Sequence, residues 1–364
     1  MIPFFNLQQQ TQEHKNDFMK KINSIVDNTS FILGETVQKF EQEFAKYNGA
    51  TFCTGVNSGT DALILALKAL EIGQGDEVII PANTFVATAE AVALCGATPI
   101  LVDIDEKSYN IEPSLIEEKV TDKTKAIIAV HLYGKLADMD TINIVAKIHN
   151  LKVIEDAAQA HGAELNGKKA GTFGDVGCFS FYPSKNLGAF GDGGACITNN
   201  VDLHNKIKSL RDHGSTIKYE HNLVGMNSRL DAIQASILSV KLLHLDKWNT
   251  KRREAAYYYK QLLSGIVKTP DISTASVFHL YVVRLNDREK VMEKLKNAGV
   301  GLGIHYPIPI HLQPAFKYLG YKEGDFPITE KVSKEIVSLP MYPELTKQQI
   351  EIVTNNIKRI LDEK

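Results

Sequence analysis

A lysine in a glycine-rich turn is the residue whose surroundings most favour chemistry in this sequence. Lys185 lies in SFYPSKNLGAFGDGGA, between two short apolar runs that are typical of β-strands. Most lysines are solvated surface groups, but the hydroxyl residues Ser180, Tyr182 and Ser184 surround this one. The glycines from 188 to 194 would let backbone approach a ligand closely. An amine in such a turn could form a Schiff base with an aldehyde.

Two other segments carry polar groups at places where ligands bind. In GVNSGTDALILAL a strand ends, a turn carries Ser58, Gly59 and Thr60, and a helix begins. Free N–H groups and the helix dipole favour a phosphate there, although a simple helix cap explains the pattern equally well. In VIEDAAQAHG a predicted strand ends in two carboxylates, the second of which is Asp156. Taken alone, Asp156 could merely cap the next helix.

Together, the three segments match the needs of one cofactor. Pyridoxal phosphate (PLP) requires a lysine for its aldehyde, an anion seat for its phosphate and an ionised acid opposite its ring nitrogen. Lys185, the turn at Ser58 and Asp156 supply these groups. The positive ring would lower the pKa of Asp156, and Lys185, once free of the imine, could move protons as base and acid.

The elements that must position these residues predict an α/β protein. Apolar strand patterns alternate with helical patterns from Thr51 to about Asn200, which favours a mainly parallel sheet with helices on both faces. After Gly265 and Pro270 the pattern becomes a compact α+β segment. We therefore expect a large cofactor-binding domain with an N-terminal arm over residues 1–245 and a smaller domain over 246–364. We also expect a helix in PSLIEEKV and one long helical stretch from Leu230 to Leu263.

Composition narrows the classes of partner. With 41 basic and 43 acidic residues the formal charge is −2, so no basic excess indicates binding to nucleic acid or to an anionic membrane. The four cysteines form no C-x-x-C pair and are expected to be buried core residues rather than metal ligands or disulfides. The N-terminus lacks a signal-peptide pattern, and the longest apolar stretch is too short to span a bilayer. A soluble, cytoplasmic protein is expected.

Several motifs resemble the DegT/DnrJ/EryC1/StrS sugar aminotransferases over nearly the whole chain. This resemblance implies the type I aminotransferase fold, with a sheet of the seven-stranded type, PLP as cofactor and a homodimer with shared active sites. The motifs, in chain order, are GVNSGTDAL, PANTFVAT, VDID, HLYG, VIEDAAQAHGA, SFYPSKNLGAFGDGGA, RDHG and GMNSRLDAIQA.

The resemblance also implies roles for single residues. Lys185 would carry the cofactor as a Schiff base and Asp156 would pair with the pyridine nitrogen. Gln159 would bond the ring hydroxyl, and Phe85 would stack on the ring, although a phenylalanine that starts a helix is more often core. The phosphate would be held by Ser58, Gly59, Thr60 and Ser180, with Asn227 reaching it from the partner subunit.

Two later segments bear on the substrate. Residues 301–321, GLGIHYPIPIHLQPAFKYLGY, have no periodicity and predict a shaped loop rather than a helix or strand. The form HYPIPIHLQPAF is most similar to the family branch that aminates C-3 of a dTDP-3-keto-6-deoxyhexose, with glutamate as the usual donor. The residues expected to contact a nucleotide-linked sugar are Tyr182, Lys218, His305, Tyr306, His311 and Gln313, with Tyr219 beside Lys218 as a further candidate.

Other interpretations of the chain remain open. A 4-keto-sugar aminotransferase would differ mainly in the 301–321 segment. A PLP-dependent sugar dehydratase would replace Lys185, usually with histidine, so the lysine argues against it. A non-catalytic regulator would need the phosphate seat but not the lysine and the acid together. A general α/β binding module is disfavoured by the same combination.

Overall fold

The protein is described by a computed structural model over residues 1–217 and 219–363. Its strands form one large sheet and three small two-stranded pairs within those residues. The strands are β1 (Phe52–Val56), β2 (Glu77–Pro81), β3 (Thr98–Val102), β4 (Thr124–Val130), β5 (Lys152–Asp156), β6 (Glu164–Leu165), β7 (Lys168–Lys169), β8 (Val176–Ser180), β9 (Gly194–Thr198), β10 (Ser215–Ile217), β11 (Glu220–His221), β12 (Tyr281–Arg284) and β13 (Ile336–Leu339).

The large sheet has seven strands in the order β1-β9-β8-β5-β4-β2-β3. Every neighbouring pair from β8 to β3 is parallel, whereas β9 runs antiparallel to both β1 and β8. The mainly parallel sheet predicted from the alternating pattern is therefore confirmed. Because β2, β4, β5 and β8 are parallel, their carboxyl ends meet along one edge, where such sheets bind ligands.

Helices cover both faces of this sheet, which is why its central strands are apolar throughout. One core cluster joins the helices at residues 59–69 (α4), 86–94 (α5) and 201–210 (α7) to the sheet. Another joins the helices at residues 34–48 (α3) and 232–242 (α8) to it. The helices are α1 (Gln8–Glu13), α2 (Lys15–Asp27), α3 (Gly34–Asn48), α4 (Gly59–Ala69), α5 (Val86–Leu94), α6 (Met139–Ile148), α7 (Val201–Leu210), α8 (Ala232–Leu242), α9 (Leu245–Leu263), α10 (Arg288–Asn297), α11 (Pro327–Glu335) and α12 (Lys347–Asp362).

A second core lies in the C-terminal part, where β12 and β13 pair antiparallel and pack with α9, α10 and α12. The N-terminus joins this core, since Ile2 is buried in it and its N–H donates to the Gly299 carbonyl at 2.8 Å. Conversely, Ile310, Phe316 and Phe326 pack in a core cluster of the large sheet. The domain boundary between residues 245 and 246 stays a prediction. Residues from each predicted domain also pack in the core of the other.

Two local predictions were wrong. PSLIEEKV forms two short 3-10 turns, Pro113–Leu115 and Glu117–Lys119, because only Ile116 of this segment is buried and a single apolar contact cannot anchor an amphipathic helix. The long helix breaks between α8 and α9, at Leu243 and His244. The break lets α9 leave the large-domain core at Leu245 and bury Tyr259 in the C-terminal core. Within the described residues, no helix is long and apolar enough to cross a membrane.

Candidate active site

A cavity of about 430 Å³ opens at the carboxyl ends of the parallel strands. Val130 ends β4, Asp156 ends β5 and Ser180 ends β8, and all three line it. The cavity therefore lies where the sheet topology predicts a ligand. Its lining residues are Ser58, Gly59, Thr60, Leu63, Thr84, Phe85, Ala87, Val130, Asp156, Ala158, Gln159, Ser180, Tyr182, Ser184, Lys185, Asp192, Gly193, His279, Leu280, His305 and Tyr306.

One wall of the cavity is the start of α4. Ser58 is the N-cap, and its Oγ accepts the Asp61 N–H at 3.0 Å, so the cap predicted as an alternative is present. The same turn also lines the cavity, because a cap occupies only a lone pair of the hydroxyl and leaves its proton available. A Cβ on Gly59 would lie 2.6 Å from the Ser180 Cβ, so only glycine lets the turn approach β8 this closely. The arrangement can seat an anion at the helix start.

Asp156 is buried at the end of β5, and two donors hold its carboxylate. Thr88 Oγ1 donates to Oδ2 at 2.9 Å, and the Ala158 N–H donates to Oδ1 at 3.2 Å. Thr84 lies 2.8 Å from Thr88, hydroxyl to hydroxyl, and donates to it when Thr88 donates to Asp156. Burial raises the pKa of Asp156, while Thr88 and the Lys185 charge oppose the rise. A cation opposite this carboxylate would be strongly stabilised.

Lys185 follows β8 on a tight turn that returns to the sheet. Its N–H donates to the Tyr182 carbonyl at 2.8 Å, and the Ala189 N–H donates to the Phe181 carbonyl at 2.8 Å. A Cβ on Gly188 would lie 2.3 Å from the Pro183 carbonyl oxygen, so the turn requires glycine there. Burial lowers the pKa of Lys185 to about 8, with the Asp156 charge opposing the fall. The amine is therefore partly neutral near neutral pH, as a nucleophile and proton carrier must be.

Gln159 and Phe85 line the same cavity as Lys185. The Gln159 Oε1 accepts the Tyr133 N–H at 2.6 Å, and its Nε2 donates to the Tyr306 hydroxyl at 3.1 Å. One Nε2 proton of Gln159 remains for a ligand. Phe85 is about half exposed, and its ring centroid lies 5.4 Å from that of Tyr306. An exposed aromatic face in a cavity is suited to stacking on a planar ring.

Tyr182, His305 and Tyr306, which were predicted to contact the substrate, also line the cavity. His305 Nδ1 lies 2.8 Å from Ser338 Oγ, and the ring stacks on Phe4 at 5.5 Å. Burial lowers the pKa of His305 to about 4, and the Lys185 charge adds to this. His305 is therefore a neutral hydrogen-bonding group at physiological pH.

Other predicted residues are not brought to the cavity. His311 does not line the cavity, since its ring is buried and its Nε2 lies 2.9 Å from Glu330 Oε1, and its contact with the substrate stays a prediction. Gln313 Nε2 donates to the Ile308 carbonyl at 3.2 Å, and Gln313 lies outside the cavity lining. Asn227 is exposed and also lies outside the lining, so its role stays a prediction. Lys218 lies outside the described residues.

Sequence reasoning assigned no site role to several residues in or beside the cavity. Asp192 and Ser184 lie within the Lys185 motif and line the cavity with it. Thr84 and Thr88 are four residues apart around the start of α5, a spacing that indicates a shared face and could have been found. His279 offered no such signal, because it precedes β12 in a segment far from the other motifs in sequence.

The donors of the cavity fit PLP. The anion seat at Ser58, the amine of Lys185 and the carboxylate of Asp156 open on the same space, and Phe85 offers an aromatic face to a ring. Among the described residues, no group of histidine, cysteine and acidic side chains could hold a metal ion. The amine of Lys185 and the anion seat at Ser58 match an organic cofactor that carries an aldehyde and a phosphate.

Known proteins with similar sequences include a regulatory protein and a sugar transaminase. A pleiotropic regulatory protein of Geobacillus stearothermophilus is 47% identical over 362 residues, covering 98% of this chain and 97% of the relative. A dTDP-3-amino-3,6-dideoxy-alpha-D-galactopyranose transaminase of Aneurinibacillus thermoaerophilus is also 47% identical over 362 residues, covering 99% of each chain.

The fold matches a solved structure of the same kind. DesV of S. venezuelae, determined in complex with a ketimine intermediate, superposes with a TM-score of 0.97 and 40% sequence identity. The match covers 99% of this chain and 98% of DesV. Residues 12–358 match the model of the DegT/DnrJ/EryC1/StrS aminotransferase family. The chain belongs to this family and is a PLP-dependent aminotransferase.

Proposed function

We propose that this aminotransferase moves an amino group from L-glutamate to the C-3 keto group of a dTDP-3-keto-6-deoxyhexose, giving a dTDP-3-amino-3,6-dideoxyhexose. The observation that carries the proposal is the single cavity that joins Lys185 and Asp156 to the anion seat and to the 301–321 segment. The sequence of that segment and the 3-amino sugar named for the Aneurinibacillus relative support amination at C-3.

The cofactor end of the cavity, formed by the anion seat at Ser58 with Asp156 and Lys185, would hold PLP by its phosphate and by its ring nitrogen. Bound PLP supplies an electron sink and carries the amino group between the two substrates. Ser58, Gly59, Thr60 and Ser180 would donate hydrogen bonds to its phosphate, aided by the dipole of α4. Asp156 would keep the ring nitrogen protonated, and that positive charge would bring the burial-raised pKa of Asp156 down again.

Lys185 would move the proton in both halves of the reaction. Its Nζ would take the proton from Cα of glutamate, which leaves as 2-oxoglutarate, and would deliver a proton to C-3 of the sugar. A pKa of about 8 suits both tasks, because the group can give and accept a proton near neutral pH. Gln159 would bond the ring hydroxyl with the Nε2 proton that Tyr306 does not use.

The side of the cavity lined by Tyr182, His305 and Tyr306, called the sugar end, would recognise hydroxyl groups rather than charge. Tyr182, Tyr306 and the neutral His305 offer hydrogen bonds but no positive charge. The diphosphate must then meet cations from elsewhere. We propose a cytoplasmic homodimer in which Asn227 of one subunit reaches the phosphate in the other subunit's cavity, and we propose Lys218 as a contact for the nucleotide diphosphate.

The test is to incubate the purified protein with glutamate and a panel of dTDP-3-keto-6-deoxyhexoses and dTDP-4-keto-6-deoxyhexoses. Mass spectrometry and NMR then identify the amino-sugar, and Lys185→Ala is the matched control. We expect amination at C-3 that depends on Lys185. Amination only at C-4 would contradict the regiochemistry. No amination with any sugar would contradict the function and favour a regulator, the role that the name of the Geobacillus relative describes.

A further inference from the structure

His279 lines the cavity with Lys185 but takes no part in the mechanism described above. It lies two residues before β12, and its side chain is buried. The neighbouring contacts of its ring determine which of its two nitrogens carries the proton.

A chain of amides leads from two backbone carbonyls to His279. Asn249 Nδ2 donates to the His161 carbonyl at 2.8 Å, so Asn249 Oδ1 is its accepting end. Asn186 Nδ2 donates to that Oδ1 at 2.8 Å and to the Val277 carbonyl at 3.1 Å. Carbonyl oxygens only accept, so these contacts fix the orientation of both amides. Asn186 Oδ1 then faces His279 Nδ1 at 3.2 Å, and Nδ1 must carry the proton.

This tautomer leaves Nε2 of His279 as a lone-pair acceptor. Throughout residues 1–217 and 219–363 no hydrogen bond or ion pair involves this nitrogen, while the side chain borders the cavity. Burial, followed by the Lys185 charge, lowers the pKa of His279 well below its ordinary value, so the ring stays neutral. The titratable groups that act on this ring are Lys185, Arg252, His305 and His161.

The free amine of Lys185 must be oriented before it can transfer a proton. When its amine is free, no hydrogen bond or ion pair among the described residues fixes its Nζ, and a lysine side chain has many rotamers to restrict. A carboxylate acceptor would hold the amine but would raise its pKa and weaken it as a base. A neutral imidazole can orient the amine and raises its pKa by less than a carboxylate would.

We propose that His279 is a positioning residue whose Nε2 accepts a hydrogen bond from the Lys185 amine whenever that amine is free. The inference rests on the proton-transfer role proposed for Lys185 and does not depend on which sugar is the substrate. Its tests therefore use no sugar, so its failure and that of the proposed function are distinguishable.

Two substitutions separate the two nitrogens of His279. In His279→Asn the amide nitrogen takes the place of Nδ1 and can still donate to Asn186, but the acceptor at Nε2 is lost. In His279→Gln an amide oxygen can replace the acceptor, but Asn186 Oδ1 loses its buried donor. A purely structural role predicts that the glutamine variant is the more impaired in every measurement.

The measurement is the rate at which the cofactor-free protein captures added PLP, followed by visible absorbance across pH. Capture requires the neutral amine, so the rate rises with pH through the pKa of Lys185. We expect the midpoint of His279→Asn to fall by about half to one pH unit below wild type, because a contact that stabilises the ammonium is lost. His279→Gln should keep the wild-type midpoint and lose thermal stability. Coincident midpoints, or equal shifts in both variants, would overturn the proposal.

A measurement on the wild-type protein avoids any effect of substitution on folding. In the cofactor-free protein labelled with ¹⁵N-histidine, the ring nitrogen shifts of His279, assigned by their loss in His279→Asn, report the tautomer. We expect a protonated Nδ1 and an unprotonated Nε2 at pH 7. A protonated Nε2 would remove the acceptor and refute the inference.

Discussion

The two ends of the cavity are held in different ways. At the cofactor end, Ser58 is a helix cap and Lys185 follows a turn that closes on β8, so short stretches of sequence position both. At the sugar end, His305 is held by Ser338 and by the Tyr133 hydroxyl, which donates to the His305 carbonyl. These contacts join residues far apart in sequence. Local geometry therefore positions Ser58 and Lys185, and tertiary packing positions His305.

The largest effect is expected at Lys185. Lys185→Ala removes both the Schiff-base amine and the proton carrier, and amino transfer should fall about a thousandfold or more. The visible absorbance of the imine at neutral pH should also disappear. Lys296→Ala, at an exposed position on α10, is the matched control and should behave as wild type. Normal turnover in the Lys185 variant would refute its assignment.

A smaller loss is expected at Asp156, and its neighbour Glu155 provides the comparison. Successive residues of β5 face opposite sides of the sheet, so Asp156 reaches the cavity and Glu155 does not. The buried Glu155 carboxylate instead accepts hydrogen bonds from His131 Nε2 and from the N–H groups of Gly171, Phe173 and Gly174. Asp156→Asn removes the charge opposite the ring nitrogen, and steady-state turnover should fall about a hundredfold. Folding, followed by urea denaturation, should change little.

Glu155→Gln should show the reverse pattern. Its amide would present N–H groups to donors that need an acceptor, at a cost of about 3 kcal/mol in the free energy of unfolding. Whatever protein remains folded should keep its turnover. A variant of Glu155 that folds normally but loses activity would contradict the division between the two carboxylates.

Thr88 should have an intermediate effect through Asp156. Thr88→Val keeps the shape of the side chain but removes the hydroxyl that donates to Asp156 Oδ2. Affinity for PLP, measured by equilibrium titration of the cofactor-free protein, should weaken about tenfold. Thr88→Ser restores the donor and should bind close to wild type. Equal affinities for the valine and serine variants would show that the hydroxyl is not needed.

The smallest effects are expected at the sugar end. Tyr182→Phe removes one hydroxyl from an exposed residue of the lining, so KM for the keto-sugar should rise about fivefold. The rate of the half-reaction with glutamate, followed by absorbance, should not change. His311→Asn is the control, since His311 is buried against Glu330. It should lower stability without changing KM, and a raised KM would support His311 as a substrate residue.

The sequence predicted those features that short segments determine. The parallel sheet follows from apolar strands alternating with helices, and the turns at Ser58 and Lys185 are encoded by their own glycines and hydroxyl residues. Side chains alternate between the two faces of a strand, which explains why Asp156 reaches the cavity and the adjacent Glu155 does not.

Features that depend on distant contacts escaped prediction. The sequence predicted both His305 and His311 for the substrate and could not tell them apart, because only tertiary packing brings His305 to the cavity and buries His311 against Glu330. The orientation of His279 depends on Asn186 and Asn249, which come from separate elements. No periodic pattern in the sequence records such a chain of amides.

The claim that Lys185 carries the cofactor can be tested directly by trapping it. Borohydride reduction of the PLP-loaded protein converts the imine to a stable secondary amine, and peptide mass mapping then locates the added group. We predict that the Lys185 peptide carries it and that Lys185→Ala carries none. Modification of a different lysine, or of none, in protein that shows the visible band would contradict the account.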